Sequence, residues 1–522
     1  VALRTLATSA TLLVGLAVIG ALSGPDWNPM PFTDHIRPAA ASTEIGGTEA
    51  GMADGRVHAP GTFEVRSTVV TVELDGYEVS ALLREPVGAG DDLPGMVFVH
   101  GAGTGRWTDA FPAQAEQIAS AGVVTLVPDK RLDTYTLWHR DYVAMADDYL
   151  RSVDFLRDVD GVDPDNVGIY AESEGTWIAP VMQAKDPRVS FTVLASAPVV
   201  APRWQAAFAV DNYLRNTRVP SQVFRAIPRA VGIQLPSGML DYADFDVTPW
   251  LERQTAPVLV LYGTGDISMP IEQGTRQIIA DTAMAGGVAP VTVRFYAGAD
   301  HGLRIDGAVV PDVSRDVAAW VQGMPETATA QPRIAGAEPQ QLFYASSFPR
   351  PRWWGNGDII IGAVLGGAGL LLVGPLVWVV TSLVRRLRTA ARGLPESGPA
   401  RHRLAPGIRP LLLGISLTSV VTVVALVVYL MAVARLALNY EQDGIVVQGG
   451  WIGVRLLGLA IVVVFARFIG RVRDVRAARH AGDTDAAVAV GWPAHLTLWT
   501  VLVGSASLIL WLAYWGVYQL GI

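Results

Sequence analysis

The chain has no cysteine among its 522 residues. That absence excludes disulfides, thiolate catalysis and cysteine-held metals, and it leaves the redox compartment unread. Lysine is almost as scarce. Lys130 and Lys185 stand alone, and arginine carries nearly all the positive charge. Charged residues make up only 17% of the chain and apolar ones 51%, against about 25% charged in an ordinary soluble protein. The shortfall points to membrane segments. The formal net charge is −8, and no soluble face gathers the basic residues, so a nucleic-acid partner is not expected. The lysine-poor, Ala-, Val- and Gly-rich composition fits the coding bias of a GC-rich bacterium. A chain of this length exceeds one compact domain, so two or more units are expected.

Long apolar runs lie at both ends. Residues 6–22 are nearly all apolar or small and stop at Gly24-Pro25. Residues 1–23 are therefore expected to be a signal peptide or signal anchor, with a Pro- and Gly-rich linker over 24–60. After a second linker at 325–357, residues 358–522 hold four runs long enough to cross a bilayer, near 359–384, 411–438, 452–469 and 495–518. The connections between them are unequal in charge. Arg385, Arg386, Arg388, Arg392, Arg401, Arg403 and Arg409 flank the first connection, and Arg471, Arg473, Arg476 and Arg479 the third. The second has Glu441 and Asp443 and no basic residue. Basic loops stay in the cytoplasm, so the segment before the first helix is expected outside a cell membrane crossed several times. Trp353, Trp354, Tyr440, Trp451 and Trp515 fall at the outer ends, where an aromatic belt belongs.

Between the membrane parts, residues 61–324 alternate strand-like and helix-like stretches. Asp75-Gly76 joins two β-rich runs as a hairpin. Short apolar runs follow at 95–99, 123–127, 167–170, 191–194, 258–262 and 291–296. Such runs suit strands of a parallel sheet covered on both faces. Helices are expected over 111–120, 142–158 and 176–184. The fold class is α/β. About sixty residues rich in aromatics separate the runs at 191–194 and 258–262, roughly ten times a usual connection. They predict a helical cap over about 199–250, with Trp204, Phe208, Tyr213, Phe224, Tyr242, Phe245 and Trp250 either lining a substrate pocket or packing among themselves.

Three residues stand just past predicted strands. Ser173 lies in Ala171-Glu172-Ser173-Glu174-Gly175, a strand-to-helix turn whose small residues two before and two after the serine allow a tight bend. Asp266 ends the strand and turn Val258–Asp266, and His301 follows the last strand in Gly298-Ala299-Asp300-His301-Gly302. Any one of them alone reads as an ordinary turn or cap residue. The order Ser, Asp, His at successive strand ends instead specifies a nucleophile, an orienting acid and a base. Asp300 competes for the acid's role, but adjacent side chains diverge, which favours Asp266. The loop His100-Gly101-Ala102-Gly103 offers close-approaching amides. An oxyanion hole is expected from the amides of Ala102 and Glu174, with His100 setting the loop and Gly101, Gly103 and Gly175 giving it room. Glu172 and Glu174 could bind a substrate amine, though surface acidity at a turn is the plainer reading.

With the elbow helix Ser173-Glu174-Gly175-Thr176-Trp177, the chain resembles α/β-hydrolase serine esterases and their dienelactone-hydrolase and serine-aminopeptidase-like relatives over about half its length. The resemblance implies an acyl-enzyme on Ser173 passed to water, with no cofactor or metal. Two departures stand out: Ala171 replaces a usual glycine, and Lys130-Arg131-Leu132-Asp133 replaces a glycine-rich continuation. The expected partners are a small-molecule or lipid ester and the lipid bilayer. The alternatives are an acyltransferase with the same triad, a serine peptidase, and a non-catalytic scaffold or receptor.

Overall fold

The computed structural model describes residues 2–234, 239–284, 289–351, 355–391, 403–439 and 441–519. The expectations placed on Trp353, Trp354, Tyr440, Arg392 and Arg401 lie outside them. The chain forms two compact units. One comprises Pro29–Val210 and Gly238–Ser347, the other Val1–Asn28, Asp211–Ser237 and Phe348–Ile522.

The first unit is built on a nine-stranded sheet. Its strands are β1 (Val65–Leu74), β2 (Tyr77–Pro86), β3 (Leu93–Val99), β4 (Val124–Pro128), β5 (Val162–Glu172), β6 (Thr192–Ala195), β7 (Val258–Gly263), β8 (Val291–Tyr296) and β9 (Ile334–Gly336). They lie in the order β1-β2-β4-β3-β5-β6-β7-β8-β9. Leu74 pairs with Tyr77 across Asp75-Gly76, and Gly76 takes φ +68°, as a two-residue hairpin requires. From β4 through β9 every neighbouring pair is parallel. This is the α/β-hydrolase order.

The central strands read as unbroken apolar runs because both faces are covered. Val97, Val99, Val258 and Val260 point into one core, and Met96, Phe98, Leu259 and Leu261 into the other. Helices α3 (Tyr142–Arg157) and α4 (Gly175–Lys185) close the first core, while α2 (Pro112–Ala119) and α7 (Pro311–Gln322) close the second.

The expected boundaries at 61 and 324 need correction, because most of each supposed linker, residues 29–60 and 325–347, is built into this unit. Ala39 N–H donates to Ile334 O, and Gly336 N–H donates to Ala40 O, so the early segment flanks edge strand β9. Buried Glu272, on α6 (Ile271–Met284), accepts from the amides of Ile36 at 2.6 Å and Gln341 at 2.7 Å, and from His35 Nδ1 at 2.9 Å. One carboxylate staples both segments.

The cap is helical, beginning with α5 (Pro202–Asn216), but it is not one body. Its middle, Asp211–Ser237, groups with the apolar helices. Among the contacts that join it to them, fully buried Arg229 donates to Gly20 O and Gly24 O and lies 4.8 Å from the Tyr514 ring centroid. Several cap aromatics have protein partners. Phe208 packs with Val200, Trp204 and Ala345, and Phe245 meets Tyr142 edge-on at 5.0 Å.

The second unit holds α1 (Ala2–Leu22), α8 (Gly357–Ala391), α9 (Ile408–Leu438), α10 (Gly450–His480) and α11 (Trp492–Tyr514). Among the described residues five helices are long and apolar enough to cross a membrane. Small residues let α8 and α11 approach closely. A Cβ on Gly504 would lie 2.5 Å from Gly367 O, and Thr497 Oγ1 donates to Gly374 O at 2.9 Å. Leu365, Leu376, Leu417, Met431 and Leu456 face outward, as suits a lipid surround rather than water.

Candidate active site

Strand β5 runs straight into Ser173 and then α4. Ser173 takes φ +55°, a left-handed conformation that costs a side chain-bearing residue roughly 1–2 kcal/mol. The strain is held by the sheet, since Ser173 N–H donates to Ala195 O at 2.9 Å. Gly175 is obligatory here: a Cβ would sit 2.6 Å from Val99 O. Ala171 is fully buried and paired with Val99, so the extra methyl is accommodated without a break in β5.

Asp266 and His301, expected as acid and base, lie in the turns after β7 and β8. Those turns pack backbone to backbone, for a Cβ on Gly263 would lie 2.1 Å from Ala299 O. His301 Nε2 lies 2.9 Å from Ser173 Oγ, and His301 Nδ1 lies 2.8 Å from Asp266 Oδ2. The structure thus brings the three expected residues into one hydrogen-bonded row. Asp300 is turned away: its Oδ1 accepts the amides of Gly302 and Arg304, which makes it a cap for its own turn.

Two residues that support this row escaped the sequence reading. Ser268 donates to Asp266 Oδ1 through its hydroxyl at 2.7 Å and its amide at 2.8 Å. Ser196 Oγ donates to the His301 carbonyl at 2.8 Å. The spacing Asp-x-Ser was the one available signal for the first, since an aspartate commonly accepts from the backbone two residues on. Nothing local marks Ser196, which lies 105 positions from its partner.

The electrostatics follow from this geometry. Burial raises the proton affinity of Asp266, but His301 and the Ser268 donors outweigh it and hold the carboxyl below its ordinary value. Burial lowers the proton affinity of His301, but Asp266 outweighs it and raises the pKa above the ordinary 6.5. A raised pKa keeps His301 protonated to higher pH, and only the neutral ring can accept a proton from Ser173. Activity should therefore fall as pH drops through a value above 6.5. A kcat/KM profile on p-nitrophenyl butyrate checks this; an acidic limb at or below the ordinary histidine value would contradict it.

The Gly-rich loop after β3 arrives beside the serine: a Cβ on Gly101 would stand 3.2 Å from Ser173 Cβ. His100 is fully buried, donates from Nε2 to Pro128 O at 2.7 Å and faces Thr104 Oγ1 with Nδ1 at 3.2 Å. Burial pushes its pKa down to about 4, so it is a neutral strut for the loop. The amides of Ala102 and Glu174 donate to no backbone acceptor among the described residues.

Glu174 corrects one expectation. Its side chain is 1% exposed and is no surface acid. Lys130 Nζ lies 3.1 Å from Oε2, Tyr135 OH donates to Oε2 at 2.9 Å, and Arg140 and Tyr142 donate to Oε1. Its charge is already neutralised, which leaves it poorly suited to a substrate amine. No group of three or more His, Asp or Glu placed to hold a metal occurs among the described residues.

Residues 111–326 match the prolyl oligopeptidase family. Solved structures similar to this chain include a protein proposed as a dienelactone hydrolase from Klebsiella pneumoniae subsp. pneumoniae, 15% identical over 51% of this chain and 100% of that one, TM-score 0.36. A Pyrobaculum calidifontis esterase is 19% identical over 50% and 85%, TM-score 0.37. The protein Est1E from Butyrivibrio proteoclasticus is 15% identical over 48% and 96%, TM-score 0.34. No curated protein matches the chain. With its strand order and this family match, the chain is a serine hydrolase of the α/β-hydrolase type.

Proposed function

We propose that the chain is a membrane-bound carboxylic ester hydrolase working through an acyl-enzyme on Ser173. The observation that carries this reading is the row Ser173–His301–Asp266, with contacts of 2.9 and 2.8 Å at the sheet edge. Ser173 Oγ attacks the acyl carbonyl as its proton passes to His301 Nε2, and Asp266 stabilises the imidazolium. The amides of Ala102 and Glu174 receive the oxyanion. Collapse breaks the bond to the alkoxy oxygen, which leaves with the proton from His301. Water, activated by the same imidazole, then releases the acid and restores Ser173.

The family match gives a peptidase reading some support. The neutralised Glu174 favours esters over substrates with a free amine. The five apolar helices support anchoring in the cell membrane. Arg385, Arg386 and Arg388 close α8, and Arg471, Arg473, Arg476 and Arg479 close α10, while Glu441 and Asp443 lie between α9 and α10. On the positive-inside rule, the hydrolase unit faces away from the cytoplasm.

One experiment addresses both points. Intact cells producing the chain should hydrolyse a membrane-impermeant aryl ester as fast as lysed cells, with no such increment from Ser173→Ala. Hydrolysis seen only after lysis would contradict the sidedness. Faster turnover of aminoacyl anilides than of esters would contradict the ester reading.

A further inference from the structure

Lys130 is one of two lysines in the chain, and its side chain is 1% exposed. Removing an ammonium from water is costly, and a buried ion pair contributes little net stability by itself. Its position therefore calls for a reason other than stability. Nζ donates to two acceptors, Gly101 O at 2.8 Å and Glu174 Oε2 at 3.1 Å. Its own amide donates to Gly105 O at 2.8 Å, which ties the stretch after β4 to the far end of the same Gly-rich loop.

The two acceptors belong to the two segments that carry the oxyanion donors. The carbonyl of Gly101 and the N–H of Ala102 are parts of one peptide group, planar and trans. Fixing the carbonyl direction therefore fixes the direction of the Ala102 N–H, which points the opposite way. Glu174 supplies the second N–H from its own backbone, and its carboxylate is held by the same ammonium. Tyr135 completes the clamp: its hydroxyl donates to Glu174 Oε2, and its ring lies 4.1 Å beneath Lys130 Nζ. An oxyanion hole works only when its donors are already aligned before charge develops.

We propose that Lys130 is a positioning residue for the oxyanion hole, aligning the Ala102 amide through the Gly101 carbonyl and the Glu174 amide through the Glu174 carboxylate. This rests on the reading of Ser173 as nucleophile. Lys130 does not touch substrate, because its side chain is sealed from solvent. Its loss should therefore lower kcat and leave KM nearly unchanged.

The test uses the full chain in detergent, with p-nitrophenyl butyrate for kcat and KM and a fluorophosphonate for the rate of reaction at Ser173. Lys130→Met is expected to lower kcat and the fluorophosphonate rate about 100-fold, the scale of losing one oxyanion donor. Because Lys130→Met leaves Glu174 short of a counter-charge, Lys130→Met/Glu174→Gln is measured beside it, and the same loss is expected there. Arg140→Met serves as comparison, since Arg140 meets Glu174 but not the Gly101 carbonyl; a much smaller fall in kcat is expected. Wild-type rates in the folded double variant would overturn the proposal, as would equal losses in Arg140→Met and Lys130→Met. If instead the wild-type chain did not react with the fluorophosphonate, the nucleophile reading itself would fail.

Discussion

Ser173→Ala is expected to lower p-nitrophenyl butyrate turnover roughly a million-fold, the scale seen when a serine hydrolase loses its nucleophile. The size follows from what remains. Without Oγ there is no acyl-enzyme, and only water positioned beside the amides of Ala102 and Glu174 can attack. The fold should survive, because Ser173 anchors the elbow through its backbone, donating from N–H to Ala195 O, and not through its hydroxyl. Alanine must still adopt φ +55°, at a cost close to that borne by serine. Turnover of the same order as wild type in a folded variant would remove Ser173 from the mechanism.

The second large effect is expected at Asp266→Asn, with a fall of about ten thousand-fold in kcat. Asp266 is buried, and its two oxygens divide their duties: Oδ2 faces His301 Nδ1, while Oδ1 accepts from Ser268. An asparagine keeping its oxygen on the Ser268 donors must present its amide N–H₂ to His301. The imidazole then carries its proton on Nε2, where it can no longer accept one from Ser173. Loss of the carboxylate also removes what raises the histidine pKa, so residual activity should show its acidic limb at lower pH than wild type. A variant with nearly full kcat would show that another group orients His301.

Much of the hydrolase core was legible because burial on both faces leaves a plain mark. Runs such as 95–99 and 258–262 have no polar alternation, and both proved to be central parallel strands. The candidate site was legible for a related reason. A strand end followed by a glycine-rich turn limits where a side chain can stand, and Ser173, Asp266 and His301 each follow such an end. β9 is three residues long and pairs with β8 alone, too little for a periodic signal. The stretch 29–60 has the composition of a linker, yet scattered hydrogen bonds, two with β9 and two with Glu272 among them, hold it in place. The cap was read as one insertion because its aromatics lie along one stretch of sequence; its division shows only in distant contacts such as those of Arg229, whose hydrogen-bond partners are some two hundred positions away. In the sequence, Lys130 stands out only as part of a departure from a glycine-rich continuation. Only the fold shows that its ammonium reaches Gly101 and Glu174 at once.

The most direct test of the central claim is fluorophosphonate labelling of the detergent-solubilised chain, followed by peptide mapping of the labelled residue. One adduct is expected, on Ser173, absent from Ser173→Ala and slowed in Asp266→Asn. A folded wild-type chain that takes no label, or one labelled at another serine, would contradict it.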